Sequence, residues 1–383
     1  MEQDLKGRSV LGQLVLPIAG LIIAGAMIHA CGGGGGSSGG GTPPAPASPP
    51  PPTSFIVNFR SPTAGATDVP KGTAIYIGFN SALNPATMTS ANIKLLQGVV
   101  EQATSLAYDA CLNRVRMVPG SGLMPGLPYT VDLGAGVMSM GGIALTPTNY
   151  DFTTNAGPDN VRPVFDSSGN TATADSTIQL TLDWTAATDN ADLQAELVYE
   201  IYQMTPAGCF NFAAAPAATT GAGINNVLIA GLQPRTTYSF IIRARDTEGN
   251  LDLNEDVVQG TTMTSYITNV RAIVTTQCVS CHNPGGTATM APYFINMNYT
   301  TAQTNYDSWL GTGTGAPSQC TTAAAAGFGL RVNPGDRTTS FLFNKIDANP
   351  PACGVTMPFG LPQISPADRD VIGDWIDEGA LNN

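Results

Sequence analysis

The sequence predicts a multidomain protein in which two all-β sandwiches precede a mainly α-helical domain. Short alternating or β-branched runs, separated by Gly, Pro, Asn and Asp, fill residues 55–156 and again 160–262. Apolar residues adopt helical spacing only after these two regions, within residues 264–383. A length of 383 residues can hold several such domains, and a stretch rich in glycine and proline at 31–54 separates them from an apolar N-terminus.

The composition excludes several classes of function. Hydrophobic residues make up 43% of the chain and charged residues 11%, which is too apolar for a disordered protein. The formal net charge of −12 repels phosphate backbones, so we expect no binding to nucleic acid. Histidine occurs only at His29 and His282, which excludes sites that need several imidazoles.

Residues 1–30 have the features of an export signal. Two basic residues precede an apolar run of about 21 residues that ends at Cys31. The segment Ile28–Cys31 resembles the lipobox of bacterial lipoproteins, although His29 stands where that motif has a small residue. The resemblance implies a lipid on Cys31, followed by a flexible tether that holds the folded parts away from the membrane. An uncleaved transmembrane helix is the alternative, and either would export the rest of the chain.

The first β region, 55–156, resembles the bacterial Ig-like domains of surface proteins. The resemblance lies in Ser61–Pro70, in Ile77–Asn80 with Leu83–Thr87, and in Leu123–Val131. It implies an antiparallel sandwich and no particular chemistry.

The second β region, 160–262, resembles a fibronectin type III domain. The segment Gly231–Ala244 carries the resemblance, since it has the Leu232-to-Tyr238 spacing that forms a corner before the last strands of that family. Trp184 matches the core tryptophan of the family. The resemblance therefore implies that Trp184 and Tyr238 are core residues and not a ligand cage.

Two features of the β regions leave alternatives open. Oxygen-bearing side chains that could bind calcium cluster in the second region, although solvated loop charge is the favoured interpretation because no EF-hand spacing is present. The cluster consists of Asp246, Glu248, Asp252, Glu255 and Asp256, and Asp189 and Asn190 lie elsewhere in the same region. Cys111 and Cys209 lie one in each region and either bridge the two or are separate buried thiols, the second being slightly favoured.

The motif Cys278-Val279-Ser280-Cys281-His282 is the strongest chemical signal in the sequence. It is C-x-x-C-H, the covalent attachment motif for c-type haem, in which two thiols bind the porphyrin and the adjacent imidazole faces the iron. It follows a predicted helix that Thr264 or Ser265 caps. The apolar face of that helix consists of Ile267, Val270, Ile273 and Val274.

Two other uses of these cysteines are weaker. A zinc site would use Cys278, Cys281, Cys320 and Cys353, but the second pair lacks zinc-knuckle spacing. A thioredoxin-like thiol pair would normally lie beside a βαβ pattern, which the sequence does not have.

Residues 264–383 resemble class I cytochromes c. Met357-Pro358 is similar to the turn that carries the axial methionine in that family, and a last helix follows, capped by Ser365 and ended by Gly379. The resemblance implies one haem c held by Cys278, Cys281, His282 and Met357. Met290 and Met297 are alternative axial ligands, and the carbonyl of Pro284 or Pro292 is the implied acceptor from the imidazole.

Cys320 and Cys353 lie in and after a polar insertion that lengthens this domain. We expect a disulfide between them, pinning the insertion over the methionine side of the haem; two separate buried thiols are the alternative.

Taken together, these features predict a membrane-anchored monohaem c-type cytochrome that carries one electron and is not itself an enzyme. The β modules would be a stalk, and the redox partner would have a basic contact rim. We expect a lipid-anchored protein, on the outer membrane, facing the periplasm or the cell surface. The alternatives are an adhesion or glycan- or protein-binding lipoprotein with a structural or redox-sensing haem, and the electron-accepting subunit of a separate oxidoreductase.

Overall fold

The computed structural model describes residues 54–283, 297, 306 and 327–383, which belong to one compact unit, Pro52–Asn383. The predicted export signal, the anchor at Cys31 and nearly all of the tether lie outside the described residues. None of the described helices is long and apolar enough to cross a membrane.

Strands β1 to β9 form the first sandwich, with one sheet ordered β1-β3-β7-β6 and the other β2-β9-β8-β4-β5. Neighbouring strands are antiparallel except β2 and β9. In β8 the residues Tyr129, Val131 and Leu133 are buried and alternate with residues that are not, as expected of a strand that covers a core on one face. The strands are β1 Val57–Ser61, β2 Ala66–Val69, β3 Ile75–Phe79, β4 Ile93–Gln97, β5 Val100–Gln102, β6 Thr104–Asp109, β7 Arg114–Pro119, β8 Pro128–Leu133 and β9 Thr148–Thr154.

Strands β10 to β16 form the second sandwich, whose sheets are ordered β10-β11-β14 and β13-β12-β15-β16. The ring of Trp184 is buried in its core, with its centroid 5.1 Å from that of Tyr199. The sequence prediction that Trp184 is a core residue is therefore confirmed. The strands are β10 Thr171–Ser176, β11 Gln179–Asp183, β12 Val198–Gln203, β13 Ala218–Thr219, β14 Asn226–Ala230, β15 Thr237–Arg245 and β16 Val258–Thr261.

Each sandwich contains a tyrosine corner. The hydroxyl of Tyr238 accepts a hydrogen bond from the backbone N–H of Gln233 at 2.8 Å, with Leu232 buried beside it. The hydroxyl of Tyr129 accepts from the backbone N–H of Met124, also at 2.8 Å. The corner predicted for the second module therefore also occurs in the first, and each ties a loop to the strand that follows it.

The C-terminal part has three described α-helices: α1 Arg271–Gln277, α2 Phe341–Asp347 and α3 Pro366–Asp377. A π-helical turn, Tyr266–Val270, precedes α1 and is capped by Ser265, whose side chain accepts from the N–H of Thr268. This wider turn spaces its side chains differently from a regular α-helix, and within it Ile267 is 50% exposed while Tyr266 is buried. The expectation that Ile267 lies on the buried face is wrong for this reason.

Helix α3 begins and ends as its sequence predicts. The hydroxyl of Ser365 accepts from the N–H of Asp368, Pro366 occupies the first turn, and Gly379 has a φ of +100° just beyond the end. Trp375 and Ile376 are almost fully buried. Among the described residues, the helix thereby supplies the largest side chain of the C-terminal core.

The two sandwiches are joined covalently. Cys111 and Cys209 form a disulfide with a Cα–Cα distance of 6.1 Å. The slightly favoured expectation of two separate buried thiols is therefore wrong: Cys111, at a turn after β6, is exposed and meets a loop of the second module.

A buried polar cluster also joins the sandwiches. The ammonium of Lys71, from the first module, is fully buried and lies 2.7 Å from Oε2 of Glu248 in the second. Lys71 also donates to Oδ1 of Asn155, whose own amide donates to the carbonyl of Glu248 at 2.9 Å. The backbone N–H of Gly72 donates to Oδ1 of Asn250 at 2.6 Å. Since each of these groups has a partner across the joint, the two modules form a stiff pair within the described chain.

Candidate functional site

The thiols of the C-x-x-C-H motif lie where α1 ends. Cys278 is the C-terminal cap of this helix, and its N–H donates to the carbonyl of Val274 at 2.9 Å. The next turn continues, since the N–H groups of Cys281 and His282 both donate to the carbonyl of Cys278, at 3.2 and 2.9 Å. Cys278, Cys281 and the backbone of His282 therefore lie on one turn.

Both thiols are unpaired and half-buried. Burial, and secondarily the neighbouring Cys281, raises the pKa of Cys278 to about 11. A redox-active thiol pair is usually marked by a lowered pKa, so the environment of Cys278 does not resemble such a site.

The structure places both described methionine candidates in the C-terminal core. Met297 is 4% exposed, and its backbone N–H donates to the carbonyl of His282 at 2.8 Å. Met357 is half-buried against the same core cluster that Cys278 contacts. Met290, Pro284 and Pro292 lie outside the described residues.

Helix α2 holds the turn that carries Met357. The N–H of Met357 donates to the carbonyl of Lys345 at 2.8 Å. The ammonium of Lys345 donates to the carbonyl of Cys353 at 2.9 Å and also to that of Val355. Burial lowers the pKa of Lys345. The side chain of Lys345 thus fixes the loop on either side of Gly354, which has a φ of +69°.

Cys353 is disulfide-bonded. Its predicted partner, Cys320, lies outside the described residues, so the pairing stays a prediction.

Charged contacts fix the C-terminal part against the second sandwich. Asp374 of α3 accepts from Arg235, at the β14–β15 turn, and from Arg337, in each case at 2.6 Å. Burial opposes the ionised carboxylate, but hydrogen bonds from Arg337 and then Arg235 outweigh it and lower the pKa of Asp374. The N–H of Thr264 donates to Glu378 at 2.5 Å at the start of the same connection. The C-x-x-C-H turn therefore has a defined position at the end of the β modules.

The acidic side chains of the second module are not all solvated. Asp246 and Asp252 are only 2% and 3% exposed. The interpretation as solvated loop charge is therefore wrong for these two, and holds for Glu255 and Asp256, which are exposed. Sequence reasoning also missed Asp159, which lies between the modules and belongs with Asp189 and Asp246. Its place in the linker, far along the chain from the other two, gave no signal.

Residues 51–154 match the family model of the bacterial Ig-like domain. The resemblance of the first module to this family is thus confirmed. Together with the disulfide between Cys111 and Cys209, such a domain indicates an exported or extracellular protein.

Two curated proteins are similar to part of the chain. Chitinase A1 of Niallia circulans is 31% identical over 142 residues, which cover 36% of this chain and 18% of the chitinase. Endoglucanase B of Cellulomonas fimi is 32% identical over 144 residues, which cover 37% of this chain and 13% of the endoglucanase. The chain thus spans less than a fifth of either relative.

Solved structures similar to the chain include β-sandwich proteins. CopC from Methylosinus trichosporium OB3b is 19% identical, with 27% of this chain and 97% of CopC covered and a TM-score of 0.24. FN3tt is 20% identical, with 27% and 96% covered and a TM-score of 0.21. The S-layer protein rSbsC(31-844) is 15% identical, with 53% and 34% covered and a TM-score of 0.25. TM-scores this low do not support a shared arrangement of whole chains.

Proposed function

We propose that the protein is a membrane-anchored monohaem c-type cytochrome that carries single electrons, with the two β modules as its stalk. The observation that carries the proposal is the pair of unpaired, half-buried thiols of Cys278 and Cys281, presented with His282 on one turn at the end of α1. In an exported chain, C-x-x-C-H on such a turn is typical of covalent haem attachment.

The donor set fits this cofactor. The two thiols would hold the haem covalently, and an imidazole nitrogen with a thioether of the same apolar core would bind its iron. We assign that thioether to Met357, because α2 and Lys345 fix its backbone and its side chain contacts the same core as Cys278. When bound, the haem would supply one-electron chemistry between its ferric and ferrous states.

The protein residues would hold the haem in place and exclude water from it. The core around α1 and α3, which includes Val274, Ile372 and Trp375, keeps water from one side of the motif. With His282 and Met357 both holding the iron, no protein-free position for a small molecule would remain, which favours electron transfer over oxygen or peroxide chemistry.

The β modules would position this domain without taking part in the chemistry. Their disulfide and buried Lys71 make the pair stiff, and Arg235 with Asp374 fixes the last domain to it. A lipid on Cys31 would add the anchor, with the tether and stalk holding the haem domain away from the membrane. The net charge of −12 suits a redox partner with a basic rim, whose association would weaken with salt.

A second candidate is surface binding of a polysaccharide by the β modules. It is favoured by the similarity of about a third of this chain to parts of a chitinase and an endoglucanase. Retention of the protein on insoluble chitin or cellulose, unaffected by a Cys278→Ser/Cys281→Ser change, would support this function. Flow-through on both would oppose it.

Absorption spectra of the full chain test the proposal, with production in a bacterium that has haem-maturation machinery. We expect a c-type spectrum that survives acidified acetone extraction, and its loss in Cys278→Ser/Cys281→Ser. Ser280→Ala, which changes a residue between the two cysteines, is the matched control and should leave the spectrum intact.

The axial methionine is tested with a matched pair of variants. Met357→Leu should lower the reduction potential and open the ferrous protein to carbon monoxide, whereas Met297→Leu should do neither. The reverse pattern would assign the ligand to Met297, and a colourless wild-type protein would refute the cytochrome function.

A further inference from the structure

Three carboxylates converge where the two sandwiches meet. Asp159 lies in the linker after β9, Asp189 in the loop after β11, and Asp246 at the end of β15. One carboxylate oxygen from each lies within 4.8 Å of the others. Asn190 ties two of these segments together, because its amide donates to Oδ1 of Asp159 at 3.2 Å.

One oxygen of each loop aspartate is used to hold its own backbone. Oδ1 of Asp159 accepts from the N–H of Val161 at 3.1 Å. Oδ1 of Asp189 accepts from the N–H groups of Ala191 and Asp192, at 2.9 and 3.0 Å. The other oxygen, Oδ2, is fully buried in both residues and has no hydrogen-bond partner. A buried carboxylate oxygen without a donor is costly, so two of them in one cluster point to a missing positive charge.

No side chain supplies that charge within the described ranges. None of the three aspartates forms an ion pair there, whereas Lys71 and Arg116, both at the same joint, pair with Glu248 and Glu255. The three carboxylates therefore lie together without a cationic partner among the described side chains.

We infer that Asp159, Asp189 and Asp246 bind a calcium ion at the joint between the two β modules. Carboxylate oxygens are the ligands of hard divalent cations, and Ca²⁺ accepts the irregular, flexible geometry of three separate loops more readily than Mg²⁺, which demands a regular octahedron. Backbone carbonyls and water would complete its coordination. A site of this kind in an exported protein is expected to bind in the range of about 10⁻⁴–10⁻³ M, which suits extracellular modules.

The site would stiffen the stalk through Asn250. The side chain of Asn250 is fully buried; its amide donates to Oδ2 of Asp246 at 2.7 Å and to the carbonyl of Asp159 at 3.3 Å. Its Oδ1 accepts from the N–H of Gly72 in the first module at 2.6 Å. An ion that holds Asp246 and Asp159 thus fixes the side chain that spans the joint.

Equilibrium dialysis against ⁴⁵Ca²⁺ in 0.15 M salt tests the inference. The full, oxidised chain is first treated with EDTA, which is removed before the dialysis. We expect one ion per chain in the stated range of affinity. Thermal unfolding should shift upwards with CaCl₂, because free Ca²⁺ at ten times its dissociation constant raises the folding equilibrium constant about elevenfold. An equal concentration of MgCl₂ should shift it much less.

The matched variants are Asp159→Asn/Asp189→Asn and, as control, Asp183→Asn, which changes an exposed carboxylate of the same module. The double variant keeps each Oδ1 acceptor and removes only charge, so it should lose the ion while unfolding without Ca²⁺ at a temperature no lower than that of the wild type.

Absence of bound ⁴⁵Ca²⁺ in the wild type, or equal binding by the double variant and the wild type, would overturn the inference. If the double variant does not fold, Asp189→Asn alone must weaken binding at least tenfold, while Asp183→Asn leaves it unchanged.

Discussion

The buried ion pair of Lys71 and Glu248 should contribute measurably to the stability of the joint between the two β modules. Lys71 is fully buried, whereas the side chain of Glu248 is 19% exposed, and the charged atoms are 2.7 Å apart. At an effective dielectric constant of about 20, their attraction is about 6 kcal/mol, much of which offsets the cost of removing both charges from water. Glu248→Gln leaves the ammonium buried without its counter-charge. We expect a loss of about 3 kcal/mol in the free energy of unfolding, near the lower end for broken buried pairs, because Asn155 still accepts from Lys71.

Substitution of the lysine instead of the glutamate should lower the free energy of unfolding by less. Lys71→Met removes the buried charge and leaves Glu248, which reaches solvent, so we expect a loss of about 1–2 kcal/mol. The double variant should be more stable than Glu248→Gln alone. Urea unfolding of the oxidised protein, followed by tryptophan fluorescence, measures all three. A loss below about 0.5 kcal/mol for Glu248→Gln, or a larger loss for Lys71→Met than for Glu248→Gln, would show that the buried lysine does not depend on the carboxylate.

Three further predictions concern the same modules. Replacement of Cys111 and Cys209 by serine opens a bridge across 98 residues and should lower the free energy of unfolding by about 3–5 kcal/mol, measured by urea unfolding without reductant. Tyr238→Phe leaves the N–H of Gln233 without its acceptor and should cost about 1 kcal/mol in the same assay, while leaving the content of β-structure in circular dichroism unchanged. Burial raises the pKa of Asp252 to about 6, so the folded state holds this proton more tightly than the unfolded state. Stability should rise by up to about 3 kcal/mol as pH falls from 7 to 4 and be lost as pH rises through 6, and Asp252→Asn should flatten that part of the profile.

Local signals predicted much of the fold. Alternation indicated strands such as β8, and the serine, proline and glycine around α3 gave its two ends, because caps and strand faces depend on residues close in the chain. The Leu232-to-Tyr238 spacing likewise predicted a hydrogen bond within one corner. Ile267 was misplaced because a π-helical turn leaves no periodic mark in five residues.

Features that depend on how distant segments of the chain pack together could not be predicted from local sequence signals. The bridge between Cys111 and Cys209 requires the two modules to pack in one orientation, which neither module specifies alone. Asp159 and Asp246 are separated by most of the second sandwich, yet their carboxylates converge. Spacing along the chain therefore marked the C-x-x-C-H motif, which is local, but did not show that Asp159 joins Asp189 and Asp246.

The most direct test of the cytochrome function is the intact mass of the full chain, produced with haem-maturation machinery and denatured in acid before measurement. We expect the wild-type chain to be heavier than Cys278→Ser/Cys281→Ser by one haem, carried by a peptide that contains Cys278 and Cys281, after allowance for the two substitutions. Absence of this difference in mass, with both wild-type thiols open to alkylation, would contradict covalent haem attachment.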